Sequence, residues 1–290
     1  MKDKPRHVLR GNMRRMLPVS RRPGMFLLVS LLFVMPTDGV AQDLHAQDAL
    51  GTPVDHSVFD RLLKRYVDDN GLVNYKAWKG QGEETLRNYL QSLGKVDPNP
   101  LGQSEKLAFW INAYNALTIQ GILEFYPVKS IKDKVNRILG FNIWDDYPMT
   151  VNGKAYSLND MEHKILRKMG EPRIHFAIVC ASVGCPKLRN EAYTGVNLDP
   201  WLEDQAIYFF AQARNLRIDR DGKTVYLSSI LNWFGEDFGG TDRARLDFTS
   251  KYLSEEKDRE FLRSRELKVK YLDYDWSLNE QKYASMEEGS

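Results

Sequence analysis

Leu107-Ala-Phe-Trp-Ile-Asn-Ala-Tyr-Asn-Ala-Leu117 decides the fold of this chain. The stretch carries no charge, and its apolar side chains fall on nearly every side of a helical projection. A helix of that kind belongs in an interior. The pattern runs on to Phe125 and stops before Pro127, which cannot continue a helix. Ser104 can cap its start, with Glu105 in the first turn where the helix dipole favours an acid. A buried helix over 107–125 is therefore the predicted axis, and the rest of the chain must cover it.

On the N-terminal side, Val58, Leu62, Leu63 and Tyr66 recur at helical spacing, and Asp69-Asn70-Gly71 ends that helix. Residues 84–93 read as a second helix. On the C-terminal side, Met149-Thr-Val and Lys154-Ala-Tyr flank Asn152-Gly153, which predicts a hairpin with a primed turn. Ser157 and Asp160 form a capping-box pattern that opens a helix to Met169. The apolar run 174–179 reads as an interior strand. Asp199-Pro200 starts a helix to about 214, and a second hairpin spans 216–227. Lys251 to Arg265 is mixed charge at helical spacing, a solvated helix face. Residues 267–272 form a last strand. Helices and hairpins alternate without a β-α-β rhythm. The predicted class is α+β: one domain, 55–279, with a mixed or antiparallel sheet and hairpins against a buried central helix and peripheral helices. Residues 280–290 read as a polar tail.

The first forty residues have a different character. A basic stretch with Arg14, Arg15, Arg21 and Arg22 precedes eleven uncharged residues, Met25 to Met35. Small residues at Gly39-Val40-Ala41 follow. That order is a secretory signal over 1–41, and the apolar run is too short for a membrane span. The domain is expected in the periplasm or secreted, with 42–54 as a loose lead-in and no membrane anchor after cleavage. The leader holds 8 of the 41 Lys and Arg residues but 2 of the 39 Asp and Glu residues, so the remainder carries a net charge of −4. With no basic stripe, nucleic acid is not an expected partner. The expected partner is a small-molecule or peptide ligand, and no cofactor is expected.

Reactive side chains concentrate in Ile174-His-Phe-Ala-Ile-Val-Cys-Ala-Ser-Val-Gly-Cys-Pro186. Three readings fit the two cysteines, Cys180 and Cys185. One is a thiol nucleophile with His175 as base, because an imidazole draws the proton from a thiol. Another is a disulfide, the usual state of two cysteines in an exported chain. The third is a metal site whose remaining ligands come from elsewhere. Glu162 can orient His175 as the third member of a triad, with His163 beside it on the same helix. Asn112 and Asn115 share one face of the buried helix. Either loop carbonyls satisfy them or they line a pocket as donors. Ser182 and Asp237 complete the candidate set, the latter from the aromatic-acidic cluster Asn232-Trp-Phe-Gly-Glu-Asp-Phe238.

Between Val58 and Leu278 the chain resembles the domain of unknown function 547 family. The likeness rests on 107–117, Tyr126-Pro127, Ser157-Leu-Asn-Asp-Met-Glu-His163, Pro172 to Ser182, Cys185-Pro186, Trp233 to Phe238 and Tyr274-Asp-Trp-Ser-Leu-Asn279. The resemblance implies no established activity, and it implies exported bacterial or plant proteins as relatives. Asn74, Gly184 and Phe234 stand where that pattern more often has Asp, Ser and Tyr. Two function classes remain: a thiol-dependent hydrolase or acyl-transfer enzyme, and a non-enzymatic envelope binding domain with Cys180 and Cys185 joined.

Overall fold

A computed structural model describes residues 51–136, 141–264 and 266–281. The expected leader, most of the lead-in and residues 282–290 of the tail lie outside these. The described residues belong to one compact unit. None of their helices is long and apolar enough to cross a membrane.

Helix α1 (Ser57–Tyr66) is amphipathic and buries Phe59, Leu62, Leu63 and Tyr66. Helix α2 (Tyr75–Gln81) has no counterpart among the elements expected from the sequence. Asn74 caps it, accepting the Ala77 N–H at 2.9 Å. Asp caps as well as Asn does, so this difference from the family pattern is structurally neutral. Helix α3 (Glu83–Leu93) follows directly. Helix α4 (Gln103–Phe125) is the expected axis, and every residue from Leu107 to Leu123 is buried. Its cap residue is Gly102, so Ser104 lies inside the first turn. Glu105 ties down two distant backbones instead, accepting the N–H groups of Val54 (2.9 Å) and Gly195 (2.8 Å). Helices α2 and α3 pack on α4.

The first hairpin forms as expected from β1 (Met149–Val151) and β2 (Lys154–Tyr156). Asn152 and Gly153 both have positive φ, 48° and 74°, as a primed turn requires. The capping box also closes. Ser157 N–H donates to Asp160, and Asp160 N–H donates to the Ser157 hydroxyl. The helix it opens is irregular, a π-helical stretch Asp160–Ile165 followed by a 3-10 turn Leu166–Met169.

Residues 174–179 are not a strand. Pro172–Phe176 is a 3-10 helix, capped by the Glu171 side chain on the Arg173 N–H. A short apolar run cannot distinguish a buried strand from a buried turn of helix. Here Pro172 at the start and tertiary hydrogen bonds decide it. Helix α5 (Leu198–Ala211) ends three residues before the predicted 214.

The second hairpin pairs β3 (Leu216–Asp219) with β4 (Thr224–Ser228), Asp219 opposite Thr224. Strand β5 (Lys268–Leu272) runs parallel to β4, giving a mixed sheet in the order β3-β4-β5. The class is α+β. Helices α6 (Asp242–Ser250) and α7 (Glu256–Arg263) pack on each other. Two hydrophobic cores result. One surrounds α4. The other gathers Val225 and Leu227 of the sheet with Leu246 of α6 and Leu262 of α7. Helix α5 serves both, burying Leu198 and Leu202 in the first, and Ala206, Phe209 and Phe210 in the second.

Candidate active site

The segment from Pro172 to Lys187 runs between the two cores: Ile174, Ala177 and Ile178 belong to the first, Phe176 to the second. Two buried amides hold it. Asn115 donates to the Ala177 carbonyl (2.9 Å) and accepts the Val179 N–H (2.9 Å). Gln205 of α5 donates to the carbonyls of Phe176 (2.9 Å) and Lys187 (2.7 Å). Asn112 makes the same double clamp on Tyr193, donating to its carbonyl (2.7 Å) and accepting its N–H (3.0 Å). The pocket-donor reading of Asn112 and Asn115 is thereby corrected. Each amide spends a donor and its acceptor on backbone that has no strand partner, so neither is free to meet a ligand. They are positioning residues.

After Val179 the chain reverses sharply. Ala181 sits in the left-handed region (φ 58°), which costs a non-glycine residue about 1 kcal/mol. The C-terminal segment braces the turn: Val183 N–H donates to Ser277 and Gly184 N–H to Asp275, both at 2.8 Å. A Cβ on Gly184 would lie 2.9 Å from the Asp275 backbone, so glycine is required at this spacing. The reversal brings the two sulfurs within 2.6 Å of each other. That exceeds the disulfide bond length of about 2.05 Å, and both cysteines are free thiols.

The Cys185 sulfur accepts hydrogen bonds from the Cys180 N–H (3.0 Å) and the Tyr274 hydroxyl (3.0 Å), besides its contact with the Cys180 thiol. Burial pushes the Cys185 thiol up, but the hydrogen bonds from Cys180, Tyr274 and the local backbone outweigh it and hold the group below the usual thiol range. Cys180 moves the opposite way. Its hydrogen bond to Cys185 and its burial keep it protonated. Cys185 is thus the stronger acid of the two thiols and Cys180 the weaker. Ser182 is buried and donates to the Cys180 carbonyl at 3.4 Å, so it supports the turn from behind.

Both thiols line a cavity of about 130 Å³ together with His175 and Glu162. The carboxylate on His175 is Asp237, 2.7 Å from Nε2, not the Glu162 expected as orienter. Asp237 arrives from 62 residues further along the chain than His175. Arg167 holds Asp237 in turn with two hydrogen bonds, 2.6 and 2.9 Å, and donates to His163 Nδ1 at 2.9 Å. Burial alone would raise Asp237, but Arg167 and His175 keep it below the usual carboxylate range. Burial lowers His175 to about 4, so its imidazole is neutral. With Nε2–H donating to Asp237, Nδ1 is the free acceptor. The ring stacks on Phe234 at 4.1 Å. Among the described residues, His175 makes no hydrogen bond to either sulfur, although all three groups line one cavity.

Glu162 meets the Tyr114 hydroxyl of α4 (3.2 Å). Burial pushes its carboxyl up to about 7, against the pull of Tyr114 and Arg167. His163 lies beside the cavity, bonded to Arg167, and burial with that guanidinium lowers it. The walls are aromatic: Trp144, Trp233, Phe234, Tyr274 and Trp276. Sequence reasoning missed Tyr114, Arg167, Tyr274 and these tryptophans as site residues. The aromatic-acidic character of 232–238 and 274–276 was the local signal for Trp233, Tyr274 and Trp276. Among the described residues no cluster of three or more His, Cys, Asp or Glu side chains is placed to share a metal ion.

The site thus defines a thiol-bearing α+β domain, with two cysteines, a His–Asp pair and a buried carboxyl around one aromatic cleft. Residues 98–210 match the family described as protein of unknown function, DUF547. Cys180, Cys185, His175, Glu162 and both clamping asparagines fall inside the match, while Asp237 and Tyr274 lie beyond it. No curated protein and no solved structure matches the chain.

Proposed function

We propose that this cleft is the active site of a thiol-dependent hydrolase or acyl-transfer enzyme, with Cys185 as nucleophile. One observation carries the reading: the Cys185 sulfur accepts hydrogen bonds from a backbone N–H and a tyrosine hydroxyl, in a cavity it shares with an Asp-oriented neutral imidazole. Thiolate is the nucleophilic form, and donors aimed at sulfur favour it.

In the first step the Cys185 thiolate adds to the carbonyl carbon of an ester, thioester or amide. The tetrahedral oxyanion collapses, and the leaving alcohol, thiol or amine departs with a proton from the Glu162 carboxylic acid. Water then adds to the acyl-thioester as His175 Nδ1 takes its proton, and the thiolate is expelled. Proton transfer from His175 to Glu162 restores the resting state. A neutral imidazole and a carboxyl with a pKa near 7 are the protonation states that these roles need.

The test is alkylation with iodoacetamide, located by mass spectrometry across a pH series. The expected result is modification of Cys185 ahead of Cys180, with an apparent pKa below the free-thiol value of about 8.5. Labelling of Cys180 first, or only above that pH, would overturn the assignment.

The proximity of the sulfurs favours a second reading. In an oxidising compartment they would close into a disulfide, leaving a non-enzymatic envelope domain with a ligand-binding cleft. A thiol titration of the folded protein separates the two: two free thiols for the enzyme, none for the binding domain. We propose export on the basic, apolar and small-residue order of 1–41, and peptide sequencing of the extracellular or periplasmic form checks it by locating the mature N-terminus near Gln42.

A further inference from the structure

We propose that the cleft takes a substrate bearing a cationic alkylammonium group, held against the rings of Trp144, Trp233, Tyr274 and Trp276 and facing the Glu162 carboxylate. This names the substrate class of the thiol site and rests on the reading that the chemistry occurs in this cleft.

Three of the ring pairs meet at steep angles. Trp144 is inclined 82° to Trp276, Tyr274 is inclined 53° to Trp276, and Trp233 is inclined 55° to Tyr274, with centroids 4.5 to 6.5 Å apart. Trp233 and Trp276 lie nearer parallel, 27° apart with centroids at 5.7 Å, and Tyr274 is inclined to both. Aromatic faces carry negative potential and attract ammonium groups, and walls of this kind recognise quaternary ammonium ligands. This wall already meets a cation inside the chain: the Lys132 ammonium lies 3.6 Å from the Trp276 ring centroid. Trp233 is 48% exposed, unusually open for so large an apolar ring. Its place on a cavity wall accounts for that exposure.

Charge selects among ligands. No Lys or Arg is among the residues lining the cavity. The nearby guanidinium, Arg167, is committed to Asp237 and His163. An anionic ligand would face Glu162 and the Cys185 sulfur, and the cation on the aromatic wall, Lys132, is not among the lining residues. A neutral apolar ligand would fill the rings but strip water from the Glu162 carboxylate without replacing it. An ammonium group satisfies both walls.

The experiment titrates the protein at pH 8 with choline, with its uncharged isostere 3,3-dimethylbutan-1-ol, and with propionate, following tryptophan fluorescence and calorimetry. Choline is expected to saturate, the isostere to bind at least ten-fold more weakly, and propionate not to bind. Glu162→Gln is expected to reduce choline affinity to that of the isostere. Trp233→Ala, at an exposed position that places little demand on folding, is expected to weaken choline at least ten-fold. Equal affinity for choline and its isostere, no saturation by choline, or choline binding unchanged in Glu162→Gln would overturn the proposal. Iodoacetamide labelling of the same preparation keeps the two readings apart. A reactive Cys185 without choline binding overturns the ligand class alone, and choline binding beside an inert Cys185 overturns the thiol reading alone.

Discussion

The two asparagines of α4 and the carboxyl of Glu162 all sit in largely apolar surroundings, but they end differently. Asn112 and Asn115 are each matched to a backbone N–H and a carbonyl of a neighbouring loop. The Glu162 carboxyl meets the Tyr114 hydroxyl and lines the cleft. The difference separates architecture from chemistry. A buried polar group whose hydrogen bonds are complete fixes structure. One whose bonds are incomplete keeps a shifted proton affinity and can exchange that proton with a ligand.

The largest expected effect breaks the architectural side. Asn115→Leu keeps the branching of the side chain but leaves the Ala177 carbonyl and the Val179 N–H buried without their partner. Stranding two groups costs on the order of 3 kcal/mol, read as a lower midpoint in urea unfolding. Because Asn115 fixes the approach to Cys180, labelling selectivity between the thiols should fall as well. A loss below about 1 kcal/mol would mean that the loop holds itself.

Glu162→Gln tests the chemical side with the opposite sign. Burial raises the folded carboxyl to about 7, against 4.5 for an ordinary glutamate. The folded state therefore binds more protons between these values, and stability falls as pH rises through that window. Above pH 7 the penalty is complete, on the order of 2 kcal/mol after allowing for partial exposure. The amide cannot ionise, so the variant should be more stable than the parent at pH 8 and equal to it at pH 4. Comparing thermal midpoints at those two pH values checks it, and a pH-independent difference would show that packing, not ionisation, sets the effect.

The smallest effect sharpens the comparison at the turn itself. Ala181 holds a left-handed backbone between the two thiols. Glycine adopts that conformation without steric cost, so Ala181→Gly should stabilise by somewhat under 1 kcal/mol, since added unfolded-state entropy offsets part of the relief. Differential scanning calorimetry reads this as a slightly raised midpoint. A lowered midpoint would show that the alanine methyl contributes more by packing than its backbone costs.

The local sequence determined a good deal. The run from Leu107 to Phe125 could only be an interior helix, because no face of it is polar enough for water. Asn152-Gly153 and the Ser157/Asp160 pair specified a turn and a helix start through short-range hydrogen bonds and φ preferences that need nothing distant. The clustering of His175, Cys180 and Cys185 named the reactive segment for the same reason: the residues are close in the chain. Tertiary structure decided the rest. Residues 174–179 are apolar under either conformation, and Pro172 with the amides of Asn115 and Gln205 made them a 3-10 turn and a loop. Asp237, not Glu162, reached His175, because hydrogen-bond partners are chosen by distance in space. Tyr274 came from the far end of the domain to meet the Cys185 sulfur. Periodicity and capping register over a few residues, whereas the completion of a buried polar group depends on what the fold brings beside it.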